Sequence, residues 1–156
     1  MHTRFLTAAV IAAVAIQAPA AHAQASSPLI GTWNIEYERG RRVENDVVTP
    51  VMGTATLTIQ QRGDSLIATL VVPPRPDGTA TPPSTAAAKA GSGSHVFRQQ
   101  QEIRLNMNGE AITRTATLTW TLQADGDTLS GTLLREIADM PVAAEPTPVK
   151  GTRSKA

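Results

Sequence analysis

The chain carries one hairpin pattern twice. Residues 54–70 read TATLTIQQRGDSLIATL, and residues 115–134 read TATLTWTLQADGDTLSGTLL. Both copies begin with Thr-Ala-Thr-Leu-Thr, pass through a Gly-Asp pair and continue with alternating small polar and aliphatic residues. Because successive side chains of a strand point to opposite faces, this pattern predicts an antiparallel hairpin with a Gly-Asp turn. The repetition predicts an all-β protein made of consecutive hairpins.

Strand patterning covers most of the chain. Consecutive hairpins without helical periodicity predict a single antiparallel up-and-down meander, and closure into a barrel of about eight strands hides its edges best. A β-sandwich is the alternative. In the fifth segment, leucines and Trp120 alternate with threonines, which we expect to face solvent. The predicted segments, of which the fourth holds one strand or two, are 29–38, 51–61, 65–72, 96–107, 110–123, 128–136 and 149–154.

Two polar segments interrupt this pattern. Residues 39–42, Arg-Gly-Arg-Arg, predict a solvated turn. Residues 73–95 are rich in Pro, Ala, Ser and Gly, and they predict a flexible loop because they hold too little apolar surface to offset the entropy of ordering. Such a loop is either a functional lid or an insertion that a hairpin tip tolerates.

The first 23 residues are unlike the rest. Arg4 precedes an apolar run at 5–16 that is too short to span a bilayer, and Ala-His-Ala at 21–23 fits the small-x-small cleavage rule. We therefore expect residues 1–23 to be a cleaved signal peptide and residues 24–156 to form one β-barrel domain. The expected location is periplasmic or extracellular, with no membrane span after cleavage.

The charged and reactive residues indicate little chemistry. Loss of residues 1–23 removes one of fourteen basic residues and none of thirteen acidic ones, so the mature net charge is zero, which argues against nucleic-acid binding. The chain has no cysteine, and His95 is the only histidine after residue 23, so we expect no metal site. With no nucleophile elbow and no phosphate-binding loop, we expect neither an enzyme nor a cofactor. His95 itself is expected to be exposed.

Two short motifs near the ends of the expected domain resemble those of a known family. Gly31-Thr32-Trp33 is similar to the Gly-x-Trp motif of lipocalins and the wider calycin group, and Arg153 lies in the last predicted strand. The resemblance implies that Arg153 stacks on Trp33 and closes one end of a barrel. An ordinary core tryptophan with an exposed arginine is the competing interpretation. The chain departs from lipocalins in having no cysteines, no predicted C-terminal helix and a Pro-rich loop without a counterpart.

Two functions are compatible with such a barrel. The first is binding of an apolar or amphipathic small molecule by a monomer, in a cavity of at least about 300 Å³ behind Trp120. The same residues equally predict a solid core. The second is a protein-binding module of the cell envelope, an inhibitor or assembly factor, that uses loop 73–95 or an open strand edge and has a filled interior and an exposed apolar patch. The predicted cavity lining is Tyr37, Leu57, Ile59, Leu70, Leu105, Met107, Leu118 and Trp120.

Overall fold

The fold is seen in a computed structural model that describes residues 26–44, 47–107, 110–140 and 144–155. Of residues 43, 44, 48, 106 and 107 it describes the backbone only. The predicted signal peptide lies outside the described residues, as do Asn108 and Gly109.

Eight antiparallel strands, joined in sequence order, form a closed barrel. The last strand pairs with the first, from Trp33 opposite Arg153 to Tyr37 opposite Val149, and this pairing closes the sheet. The prediction of an all-β, up-and-down barrel is therefore confirmed, and the sandwich alternative is wrong. The strands are β1 Gly31–Glu44, β2 Val47–Arg62, β3 Ser65–Val71, β4 Ser84–Lys89, β5 His95–Met107, β6 Glu110–Asp125, β7 Thr128–Ile137 and β8 Thr147–Arg153.

The repeated sequence forms the hairpins β2–β3 and β6–β7. Each turns at its glycine, and Gly63 and Gly126 both have positive φ, of 59° and 57°. Alternation holds along β6, where Ala116, Leu118, Trp120 and Leu122 are buried and the intervening threonines are not. The predicted inward and outward faces of this strand are confirmed.

Strand β4 lies where the sequence predicts only a loop. Segment 73–95 contains β4, which pairs with β3 at six consecutive positions, from Ser65 opposite Lys89 to Leu70 opposite Ser84. Its inward residues, Ser84, Ala86 and Ala88, are small and partly buried, so they produce no apolar alternation in the sequence. Pairing with the neighbouring strand β3 makes this segment a strand. The predicted segment 96–107, which could have held one strand or two, forms part of the single strand β5.

The predicted turn at 39–42 is also wrong, because these residues continue β1 past the barrel. The strand accommodates a bulge between Glu38 and Gly40 and stays paired with β2 to its end. Its other edge pairs with β8 only from Trp33 to Tyr37. The bulge offers a place for one unpaired residue, and the pairing with β2 then continues through the arginines.

The two ends of the barrel differ. At the end that we call the turn end, β2–β3 and β6–β7 are joined by short turns, and residues 26–30 lie there before β1. At the opposite end, which we call the hairpin end, β1–β2 and β5–β6 extend beyond the rest of the sheet. Because these two pairs are four strands apart in an eight-stranded ring, the extensions stand on opposite sides of the hairpin end.

Candidate functional site

The predicted cavity lining lies mostly in the packed core. Tyr37, Leu57, Ile59, Leu118 and Trp120 are buried, and Leu70 packs against them. The Tyr37 and Trp120 rings meet edge to face, with centroids 5.2 Å apart and an interplanar angle of 62°. Leu105 stands on the β5–β6 extension, partly buried and outside this cluster, and the side chain of Met107 lies outside the described residues. The structure thus brings six of the eight residues together.

The interior beside Trp120 is almost filled. Three of the predicted lining residues, Leu57, Leu70 and Trp120, border a void of about 20 Å³. A void of this size holds about one water molecule, whereas a drug-sized ligand needs at least about 300 Å³. The void also touches Ser84 and Gln99, so it lies next to the seam between β4 and β5.

The predicted contact between Trp33 and Arg153 is present at the turn end. Arg153 Cζ lies 4.2 Å from the centroid of the Trp33 ring. The guanidinium donates hydrogen bonds to the carbonyl oxygens of Ile30 at 2.9 Å, Pro28 at 3.0 Å and Gly126 at 3.3 Å. The indole Nε1 donates to the Leu29 carbonyl at 2.8 Å. These contacts tie residues 28–30 and the β6–β7 turn to the first and last strands.

The same end buries His95, which the sequence led us to expect on the surface. Its exposed fraction is 5%, and that of Ser27 is 6%. His95 Nδ1 lies 3.2 Å from the Lys89 carbonyl oxygen, which only accepts, so Nδ1 carries the proton and Nε2 accepts from Ser27 Oγ at 3.3 Å. A serine, a histidine and an acceptor in line resemble a hydrolytic site. Here Ser27 and His95 are buried and both ring nitrogens of His95 are hydrogen-bonded, so these hydrogen bonds anchor residues 26–30 to the barrel.

An arginine that sequence reasoning missed lies inward at the hairpin end. Arg135 faces Leu118 across the β6–β7 pairing and reaches past the start of β8 to donate to the Glu38 carbonyl oxygen at 3.3 Å. Burial lowers the pKa of the Arg135 guanidinium, against the opposing effect of the Glu38 carboxylate. Burial also raises the pKa of the Tyr37 hydroxyl, although the positive charges of Arg135 and Arg39 act in the other direction. The alternation of side chains along the predicted strand 128–136 is the signal that could have placed Arg135 on the inward face.

A broad depression of about 720 Å³ on the outer surface spans strands β7, β8, β1 and β2. Its floor is formed by small polar side chains such as Thr54 and Thr152, and Pro73 borders one side. On β2 and β3, two large apolar side chains face solvent: Met52 is 47% exposed and Val71 is 43% exposed. Val71 stands opposite Thr56 across the β2–β3 pairing, and Met52 lies four residues before Thr56 on the same face of β2. We call Met52, Val71 and Pro73 the β2–β3 patch.

Metal and membrane features were searched within the described ranges. No cluster of three or more His, Asp or Glu side chains suited to a metal ion occurs there. No helix in that part of the chain is long and apolar enough to cross a bilayer. Comparison of the chain with protein-family models, with curated proteins and with solved structures finds no match.

Proposed function

We propose that this protein is an exported protein-binding module, an inhibitor or assembly factor of the cell envelope, with a solid barrel core. The observation that carries the proposal is the pairing of a nearly filled interior with the exposed β2–β3 patch. Isolated exposed apolar residues are ordinary, but apolar side chains beside a concave surface are typical of binding sites. Pro73, one of the three patch residues, borders the broad depression on the outer surface.

The depression also has suitable chemistry for a protein partner. Glu36 stands directly opposite Lys150 across the β1–β8 pairing, and both border the depression with hydroxyl-bearing neighbours. Protein–protein interfaces combine an apolar centre with a polar rim that exchanges hydrogen bonds with the partner. Loop residues 74–83, which follow Pro73, are exposed throughout and extend the same surface.

We also infer that the barrel is of the calycin type. The stacking of Arg153 on Trp33 supports this, because the two residues join the first and last strands as the family resemblance implies. This inference concerns the barrel's relationships and leaves the proposed function unchanged.

Binding of a small apolar molecule is the second candidate function. The void beside Trp120 favours it, since it touches the β4–β5 seam, where only Ala87 and Arg98 are paired. A ligand would have to separate β4 from β5 and enlarge the void more than tenfold, relative to the roughly 300 Å³ of ordinary ligand sites. The solid-core proposal needs no such change.

Native mass spectrometry of the protein purified from its own host distinguishes the two functions. The proposal predicts a co-purifying polypeptide in a fixed ratio, and a retained small molecule without a polypeptide would overturn it. The double variant Met52→Ser with Val71→Thr should lose that polypeptide. Val96→Thr is the matched control, because Val96 is 49% exposed on a different strand, and it should keep the partner.

A further inference from the structure

The extension of β5 has an open edge. Residues 99–107 pair with β6 along their whole length. On the other side, the neighbouring strand β4 meets β5 at a single position, Ala87 opposite Arg98. The backbone N–H and C=O groups of 99–107 that face away from β6 thus have no strand partner among the described residues. Such an edge is a template for another strand, unless features of the sequence prevent pairing.

The sequence of this edge is complementary to itself. It reads Gln-Gln-Gln-Glu-Ile-Arg-Leu-Asn-Met, with Ile103 at its centre. When two copies align antiparallel about Ile103, Glu102 of one lies directly opposite Arg104 of the other, and the reverse pair forms symmetrically. We propose that β5 pairs in this register with the β5 of a second copy, so that the two barrels form a twofold dimer through one continuous sheet. This goes beyond the proposed function and uses a different surface.

The charges support this register because they are unpaired within one chain. Glu102 and Arg104 are exposed on the outer face, opposite Thr115 and Thr113 of β6. No ion pair involves either of them among the described residues. Opposite charges placed directly across an antiparallel pair stabilise it, and like charges destabilise it. The exposed pairs set the register, and the backbone hydrogen bonds supply most of the affinity.

The inner face of the edge also gains cover in the dimer. Ile103 and Leu105 are only partly buried in one barrel. In the proposed register Ile103 meets the partner's Ile103, and Leu105 lies opposite the partner's Gln101. A strand pair of this kind is isologous, since the same residues meet from both sides, and it closes as a dimer without leaving a second open copy of the interface.

Two other open edges of the hairpin end do not allow the same pairing. The edge of β1 beyond Tyr37 reads Glu-Arg-Gly-Arg-Arg-Val-Glu, and alignment about Arg41 would place arginine opposite arginine and Glu38 opposite a glutamate. The open edge of β2 contains Pro50, which has no N–H to donate. The short edge of β6 at 110–114 does allow a charge match about Ile112, so it is the rival to be tested.

Engineered cysteines test the register, because the chain has none of its own. Under mild oxidation, Ile103→Cys should form a disulfide-linked dimer, since the two substituted residues lie directly opposite each other. Gln101→Cys is the matched control: its two copies would be four residues apart along the strands, beyond disulfide reach. Ile112→Cys reports the rival β6 pairing. Equal dimer yields at positions 101 and 103, or preferential crosslinking at 112, would overturn the proposal.

Charge reversal tests the same register without crosslinks. Sedimentation equilibrium of the wild type should show a monomer–dimer equilibrium. Glu102→Arg or Arg104→Glu alone should raise the dissociation constant about tenfold or more, because each places like charges opposite each other at two symmetric positions. The double variant Glu102→Arg with Arg104→Glu should return to near the wild-type value. A monomeric wild type, or a double variant as weak as the singles, would contradict the proposed dimer.

Discussion

Arg153 Cζ lies 4.2 Å from the centroid of the Trp33 ring, and this contact joins the last strand of the barrel to the first. The two residues are also direct register partners in the β1–β8 pairing. Because the guanidinium additionally bonds three carbonyl oxygens, this one side chain links β8 to the β6–β7 turn and to residues 28–30. Barrel closure at the turn end therefore depends on a cation that is both stacked and hydrogen-bonded.

Replacement of Arg153 by alanine should destabilise the fold. The loss of stacking and of charge-assisted hydrogen bonds predicts a cost of about 2–4 kcal/mol, which lowers the melting temperature by several degrees for each kcal/mol. Thermal unfolding followed by circular dichroism measures it. Lys155→Ala removes a nearby exposed cation and is the control. A drop of less than about one degree in Arg153→Ala would show that the stacking contributes nothing.

Gly31→Ala should act through the same contact. Gly31 has φ of +140°, which side chains rarely adopt, and a Cβ there would collide with the Arg153 guanidinium. We expect a loss of about 2 kcal/mol or more. In the double variant with Arg153→Ala the collision disappears. The loss of unfolding free energy in the double variant should therefore be smaller than the sum of the losses in the two single variants. Strict additivity would indicate backbone strain alone. Gly91→Ala, where a Cβ meets no atom within 4 Å, is the control.

Tyr37 should titrate above its ordinary pKa. It is the only tyrosine in the chain, so the absorbance of tyrosinate during a pH titration reports this residue alone. Burial raises the pKa of Tyr37. The contribution of the neutral hydroxyl to the stability of the fold is therefore complete below about pH 10, the value in the unfolded chain, and is lost as the pH rises through the folded-state pKa. Arg135→Gln removes a charge that lowers this pKa, so its midpoint should be higher still. A wild-type midpoint at or below the value in denaturant would contradict the burial.

Ser27→Ala should loosen the segment before β1. It leaves His95 Nε2 buried without its hydrogen-bond donor, at a cost of about 1–2 kcal/mol. Hydrogen exchange should accelerate at Leu29, whose amide lies 3.4 Å from Ser27 Oγ. Ser92→Ala, in the exposed 91–94 segment, should change neither stability nor exchange. Unchanged exchange at Leu29 in Ser27→Ala would show that the serine is not an anchor.

Thr119→Val should stabilise the barrel. Among the described residues, the Thr119 hydroxyl is the one buried side-chain polar atom without a hydrogen-bond partner. Valine has nearly the same shape and no group to desolvate, so we expect a gain of about 1 kcal/mol. Thr117→Val, on the same face of β6, is the control. A lower melting temperature in Thr119→Val than in Thr117→Val would mean that the hydroxyl has a partner in solution.

The sequence predicts the β6–β7 hairpin correctly but misses strand β4. The β6–β7 hairpin was predictable because leucines and Trp120 alternate with threonines around a glycine turn, and these signals are local. β4 was not predictable, since Ser84, Ala86 and Ala88 give no apolar alternation. Likewise, the burial of the polar residues His95 and Arg135 depends on hydrogen bonds that no sequence pattern indicates. His95 bonds the Lys89 carbonyl oxygen and the Ser27 hydroxyl, and Arg135 bonds the Glu38 carbonyl oxygen.

By itself the sequence determined that residues 54–70 and 115–134 form hairpins and which face of β6 meets solvent, because side chains alternate strictly along a strand. Only the tertiary structure decided how far the hairpins extend past the barrel, that a strand of alanines completes it and that the interior beside Trp120 is filled. The physical reason is that strand pairing, burial and packing are properties of neighbours brought together from distant parts of the chain. Tyr37 meets Trp120 only because β1 and β6 face each other across the closed sheet.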